Sequence, residues 1–166
     1  MLEKFYPSEC KDSVYDIDFN KMYEKGYRSV IFDVDNTLVP HGAPADDKAI
    51  AFFKKLHEIG YKTLLLSNNK EYRVKSFAEA VDALYIYKAN KPSKAGYLAA
   101  MERMGTNRNN TIFVGDQIFT DIWGANNAAI HSILTKPINP KEEIQIILKR
   151  IPEKWVMYFY NRRNKR

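Results

Sequence analysis

The stretch Arg28–Leu38, RSVIFDVDNTL, decides how the chain is read. Its first half, Arg28–Phe32 (RSVIF), ends in an apolar run, Val30-Ile31-Phe32, with no polar alternation, as expected of a strand buried on both faces. Its second half, Asp33-Val34-Asp35-Asn36-Thr37, is turn chemistry that also holds two carboxylates and a hydroxyl. In open parallel sheets, ligands gather outside the carboxyl ends of the strands. The residues after each strand are therefore the ones to inspect.

The same alternation repeats outward from this point. Strands are expected over Tyr61–Leu66, Ala83–Tyr87, Thr111–Val114 and Ala129–Leu134. Between them, Asp46–Ile59 places Ala49, Ile50, Phe53 and Leu56 at helical spacing before a stop at Gly60. Helices are also expected over Glu71–Val81, Ser93–Met104, Ile118–Asn127 and Lys141–Leu148, with Pro152 starting or kinking a final one. Strand–helix alternation of this kind predicts an α/β fold, a three-layer doubly wound parallel sheet. The 166 residues read as a single domain: a core over about 28–135, an N-terminal arm over 1–20 that wraps it, and a basic, aromatic helical segment over 149–166.

Composition narrows the class. Hydrophobic residues make up 45% and charged residues 28%, which is globular. A single cysteine, Cys10, excludes an internal disulfide and a thiolate zinc site, and His41, His57 and His131 are scattered. No apolar run approaches the roughly 20 residues a membrane span needs. Met1–Cys10 has no apolar leader core, so a cytoplasmic protein is expected, peripheral to a membrane if the tail binds one. The net charge is +6, and all of that excess lies in 149–166, where seven basic side chains face one acid, Glu153. Trp155, Val156, Met157, Tyr158, Phe159 and Tyr160 are interleaved with them. One reading is a terminal helix docked on its own core with a solvated basic end. The other is a surface for anionic phospholipid or, less favoured, nucleic acid. Homo-oligomerisation is not legible.

Four strand ends carry polar groups: Asp33–Thr37, Ser67-Asn68-Asn69, Lys88–Pro92 and Gly115–Asp121. Together they suit phosphoryl transfer. A carboxylate can attack phosphorus, acidic groups can hold Mg²⁺, and a hydroxyl and an ammonium can grip phosphate oxygens.

On these residues the chain resembles the haloacid dehalogenase superfamily. Asp33, Asp35 and Thr37 match its DxDxT motif, Ser67 the second motif, Lys91 the Lys-Pro third, and Asp116 with Asp121 the GDxxxxD fourth. More narrowly, YDIDF near Asp16, LLLSNN, NKP and VGDQIFTDIWGAN resemble the capless, subfamily IIIA, YqeG-type branch, which is similar to mitochondrial phosphatidylglycerophosphate phosphatases. The resemblance implies Asp33 as nucleophile and metal ligand, and Asp35 as general acid and base with its carbonyl on the metal. It implies Ser67, Thr37 and Asn68 at the phosphoryl group and Lys91 as the orienting cation. Asp116 and Asp121 would be the remaining metal residues and Mg²⁺ the cofactor. Lys88 is a rival to Lys91, disfavoured because the motif pairs Lys with Pro. The intervals Leu38–Leu66 and Asn69–Asn90 leave no room for a cap domain. An open site is expected, suited to a large phosphorylated substrate: a phospholipid at a membrane, a phosphoprotein or a nucleic acid.

Overall fold

A computed structural model describes residues 1–139 and 144–164, and the side chains of all of these except 144–146. The strands are β1 (Glu9–Lys11), β2 (Ser29–Phe32), β3 (Lys62–Leu66), β4 (Leu84–Ile86), β5 (Thr111–Gly115) and β6 (His131–Thr135). They form one sheet in the order β1-β6-β5-β2-β3-β4, and each pairing is parallel. The helices are α1 (Phe19–Glu24), α2 (Asp47–Ile59), α3 (Glu71–Val81), α4 (Lys94–Met104), α5 (Trp123–Asn127) and α6 (Ile144–Asn164). The sheet with helices on both faces is the α/β, Rossmann-like architecture expected from the alternation.

The period-two geometry of β2 builds both halves of the core. Val30 and Phe32 pack with Phe19, Phe53, Leu56 and Phe77 from α1, α2 and α3. Ile31 points the other way, into a layer with Tyr97, Met101 and Met104 of α4 and Ala125 of α5. Removing one of these rings, for example by Phe32→Ala, would cost about 3–5 kcal/mol. The helices start and stop by local chemistry. Asp46 accepts from the Ala49 N–H at the start of α2, and Gly60 ends it at φ 115°. Ser93 caps α4 and Gly105 ends it at φ 64°.

Strand order places the site. From β2 the chain moves to β3 on one side, whereas β5 lies on the other. The crevice at this reversal of strand order therefore opens between the carboxyl ends of β2 and β5. Phe32 is in register with Val114, and the Asp33 N–H donates to the Val114 carbonyl at 2.9 Å. Asp33 and Asp116 thus leave the sheet side by side.

Several elements differ from the sequence expectation. The N-terminal arm contributes β1, an edge strand paired with β6, and the short helix α1. A three-residue strand, Glu-Cys-Lys, has no pattern of its own; its partner defines it. The helix expected over Ile118–Asn127 begins as a π-turn over Ile118–Ile122, with the N–H groups of Asp121 and Ile122 both donating to the Gln117 carbonyl. Pro152 does not start a helix, because it lies inside α6. Docking of Glu153 and Val156, 6% and 4% exposed, outweighs the lost backbone hydrogen bond. Of the helix expected over Lys141–Leu148, residues 141–143 lie outside the described residues, as do Lys165 and Arg166 of the tail.

Candidate active site

The turn after β2 is anchored from below by Val34, Leu38 and Val39, each 1% exposed. Asn36 takes the left-handed conformation at φ 65°, which an Asx side chain tolerates, and its N–H donates to the Val39 carbonyl. The N–H groups of Thr37 and Leu38 fold back onto the Val34 carbonyl. This tight winding brings Thr37 back beside Asp33. The Thr37 hydroxyl lies 3.3 Å from Asp33 Oδ2 and 3.2 Å from Asp116 Oδ1, so one donor serves two carboxylates.

Lys91 reaches the same cluster from the loop after β4. Its Nζ donates to Asp33 Oδ1 at 2.6 Å and to Asp121 Oδ1 at 2.7 Å. Lys88 is exposed, and Lys91 is the lysine that reaches Asp33. Asn68 holds the Lys91 loop in place: its amide donates to the Lys91 carbonyl at 3.2 Å and accepts from the Lys91 N–H at 2.8 Å. The other oxygen of Asp121 accepts from the N–H groups of Asp116 and Gln117. Gly115 permits this fold-back, because a Cβ there would lie 2.6 Å from Asp121 Oδ2.

Asp35 points elsewhere. Its carboxylate accepts from the Gly42 N–H at 2.8 Å, the Asn69 amide at 3.2 Å and Arg73 of α3 at 2.9 Å. Ser67 is buried, and its hydroxyl accepts from the Asn69 N–H within its own turn. Electrostatics separate the two carboxylates of the first turn. Burial pushes the Asp33 pKa up to about 7, with the charge of Asp121 adding to the rise and Lys91 opposing it. Burial pushes Asp35 in the same direction, but its bonds from Gly42, Arg73 and Asn69 outweigh this and hold it below the ordinary carboxylate range. Burial opposes the charge on Lys91, yet Asp121 and Asp33 raise its pKa above the ordinary lysine value. Asp116 is raised by burial and by its neighbours Asp33 and Asp121.

The C-terminal helix closes the remaining side. Arg150 donates to Asp116 Oδ2 at 2.5 Å and to the Asp116 carbonyl at 2.6 Å. It also pairs with Glu153 at 3.0 Å. Glu153 accepts from the Ile118 N–H at 2.7 Å and from the Phe119 N–H. Asp33 is only 7% exposed and Asp116 2%. Thr37, Lys91 and Arg150 surround them, while the intervals expected to lack a cap hold α2, α3 and β4. A groove of about 860 Å³ runs from Asp116 and Arg150 between β6 and α6, past Leu134, Lys136, Lys154 and Met157.

The structure therefore gathers Asp33, Thr37, Lys91, Asp116 and Asp121, and binds Asn68 to this group through the Lys91 backbone. Asp35 faces Arg73, and Ser67 faces its own turn. Arg73, Asn69, Arg150 and Glu153 were not singled out from the sequence. The isolated acid Glu153 in an otherwise basic segment was the available signal for one of them. Oxygens of Asp33, Asp116 and Asp121 lie within 4.8 Å of one another. Three buried carboxylates around one point form an all-oxygen donor set of the kind a hard divalent cation takes.

Comparison with known proteins bears on the family and the fold. The family model described as "haloacid dehalogenase-like hydrolase" matches residues 41–129. The first aspartate turn lies ahead of that match, so its assignment rests on the geometry above. The probable phosphatase YqeG of Bacillus subtilis is 36% identical over 140 residues, covering 83% of this chain and 81% of its own length. The chloroplastic/mitochondrial phosphatidylglycerophosphate phosphatase 1 of Arabidopsis thaliana is 31% identical over 155 residues, covering 82% of this chain and 42% of that protein. Among solved structures, the cobalt-bound deoxy-D-mannose-octulosonate 8-phosphate phosphatase of Haemophilus influenzae superposes with a TM-score of 0.50 at 16% identity, covering 68% of this chain and 80% of that one. An uncharacterized protein from Listeria monocytogenes serotype 4b gives 0.53 at 18% identity, covering 70% and 86%. With one motif after another standing at successive strand ends of such a sheet, and a relative this similar over most of both chains, the chain belongs to the haloacid dehalogenase-like hydrolase family.

Proposed function

We propose that this hydrolase is a Mg²⁺-dependent phosphatase that works through an aspartyl-phosphate on an anionic phospholipid headgroup, such as phosphatidylglycerophosphate, at a membrane surface. The observation that carries the reading is Lys91 Nζ seated between Asp33 and Asp121, with Asp116 completing the carboxylate cluster. Asp33, Asp116 and Asp121 would hold the cation. What it supplies there is positive charge that favours ionised Asp33 and offsets charge on the phosphoryl oxygens. An Asp33 oxygen bonds to phosphorus as the bond to the leaving oxygen breaks, and Asp35 gives that oxygen a proton. Asp35 then takes a proton from water, whose oxygen displaces Asp33 and releases inorganic phosphate. In the position described here Asp35 is held ionised, the form that accepts a proton. Donating one requires its carboxyl to turn from Arg73 towards Asp33.

The lipid surface is supported by the outer face of α6. Ile147, Leu148, Ile151, Trp155, Tyr158 and Phe159 are all exposed, Trp155 by 64%, and their spacing puts them on one stripe of the helix. Lys149, Lys154 and Arg162 are exposed around this stripe. An apolar stripe flanked by cations matches an anionic bilayer, where each basic side chain near the surface is worth about 1 kcal/mol. No described helix is long and apolar enough to cross a membrane. The test is phosphate release with Mg²⁺ from phosphorylated lipids, sugars, nucleotides and peptides, ranked by kcat/KM, beside vesicle flotation and RNA retention. Lipid phosphomonoesters should lead, and Asp33→Asn should lower the rate to below roughly one-thousandth. A water-soluble ester in first place, or RNA retention without vesicle binding, would refute the lipid reading.

A further inference from the structure

We propose that Arg150 is a positioning residue of the metal centre and that Glu153 braces it, making the docked C-terminal helix a working part of the site. This rests on the reading of Asp33, Asp116 and Asp121 as the cation-binding group. The Asp116 side chain has two oxygens with different surroundings. Oδ1 faces the Thr37 hydroxyl and, through it, Asp33. Oδ2 is held by Arg150 Nη2. Arg150 Nη1 simultaneously grips the carbonyl of the same residue, so both the side chain and the backbone of Asp116 are fixed by one planar group.

The brace is equally specific. Arg150 and Glu153 stand three residues apart on α6 and pair with each other. Glu153 Oε1 receives the Ile118 N–H, at the start of the π-turn that delivers Asp121. The two side chains thus hold the loop that leads to Asp121 at two points, Asp116 and Ile118. Both are largely withdrawn from water, at 17% and 8% side-chain exposure.

Charge balance keeps Arg150 in place when a cation binds. Among the described residues, fully ionised Asp33, Asp116, Asp121 and Glu153 carry four negative charges against the two positive charges of Lys91 and Arg150. The excess of two matches a divalent ion without expelling the guanidinium. Arg150 then leaves Asp116 Oδ1 turned towards the cluster, which is how an outer partner tunes a metal ligand.

The experiment is titration calorimetry of Mg²⁺ and Mn²⁺ binding to the full chain, with thermal melting recorded for each variant. Arg150→Ala should weaken cation binding about 10- to 100-fold. Arg150→Lys should recover part of that loss, as should guanidinium added at non-denaturing concentration to Arg150→Ala. Glu153→Gln should weaken binding by a smaller factor. Unchanged or tighter binding in Arg150→Ala, or in Arg150→Lys and Glu153→Gln if the alanine variant does not fold, overturns the role of Arg150 alone. Loss of binding that neither lysine nor guanidinium repairs marks a merely structural contact and also overturns it. Absence of binding to the unaltered chain overturns the metal reading together with this proposal.

Discussion

Two cations serve the same carboxylate cluster from opposite sides, and they are built differently. Lys91 comes from the loop after β4, has 3% of its side chain exposed, and bridges two carboxylates of the sheet ends. Arg150 comes from the terminal helix, has 17% exposed, and holds one carboxylate of the cluster, Asp116, with its backbone, while pairing with Glu153 on its own helix. Lys91 is committed by the topology: once β2, β4 and β5 lie in one sheet, its loop must pass Asp33. Arg150 is committed only by the docking of α6. The difference teaches that half of the site is fixed by strand order and half by how one helix packs.

The largest expected effect breaks the sheet-borne half. Lys91→Met removes the charge that two buried carboxylates share, and urea denaturation should show a loss of about 3–5 kcal/mol. The same assay on Arg150→Ala should show a smaller loss, about 1–3 kcal/mol, because its partner keeps the Thr37 donor. Equal losses would erase the distinction between the two sides. Gly115→Ala forces a Cβ against Asp121 and should cost about 1–3 kcal/mol, measurable by the same unfolding curve, while leaving the α6 contacts to Ile118 unaltered.

A smaller effect concerns pH. Asp35 has a depressed pKa when folded, so the unfolded chain binds more protons in acid. Its stabilising contribution is complete above the ordinary value of 3.8 and is lost as pH falls through the depressed one. Asp35→Asn should therefore lower stability near neutrality, with the gap to the unaltered chain closing in strong acid. Thermal melts across pH 2 to 7 would follow it. The smallest effect on stability falls on the outer face of α6. Trp155→Ala should change the unfolding free energy by no more than about 0.5 kcal/mol yet weaken flotation with anionic vesicles. A large loss of stability there would mean that Trp155 serves the fold.

What could be read from the sequence follows the same division. The Asp33–Thr37 turn, Asp116 and Asp121 were legible because parallel strands must deliver their carboxyl ends to one edge, wherever the chain goes in between; Lys91 was preferred to Lys88, which lies nearer the strand, only because the resembled motif pairs Lys with Pro. The central strands were legible because Val30–Phe32 and Leu64–Leu66 are apolar throughout. Arg73, Arg150 and Glu153 were not, because each acts through the angle at which a helix lies on the sheet, which no spacing encodes. β1 was missed for a similar reason: Glu9–Lys11 becomes a strand only beside β6. Pro152 did not mark a helix start, because α6 already runs through it and docks by Glu153 and Val156 just beyond it. The composition of 149–166 allowed a docked helix or a lipid-facing one, and α6 carries an inward face and an outward apolar stripe at once.

The bond from the Ile118 N–H to Glu153 has a practical consequence. The opening turn of the π-helix borrows its acceptor from a side chain 35 residues further along. A shortened protein that stops after β6 would look complete by its sheet, yet it would strand those amide donors beside a cluster of like charges. Biochemists trimming the tail to improve handling should expect to lose the catalytic loop's shape along with it, and to mistake that loss for an inactive enzyme.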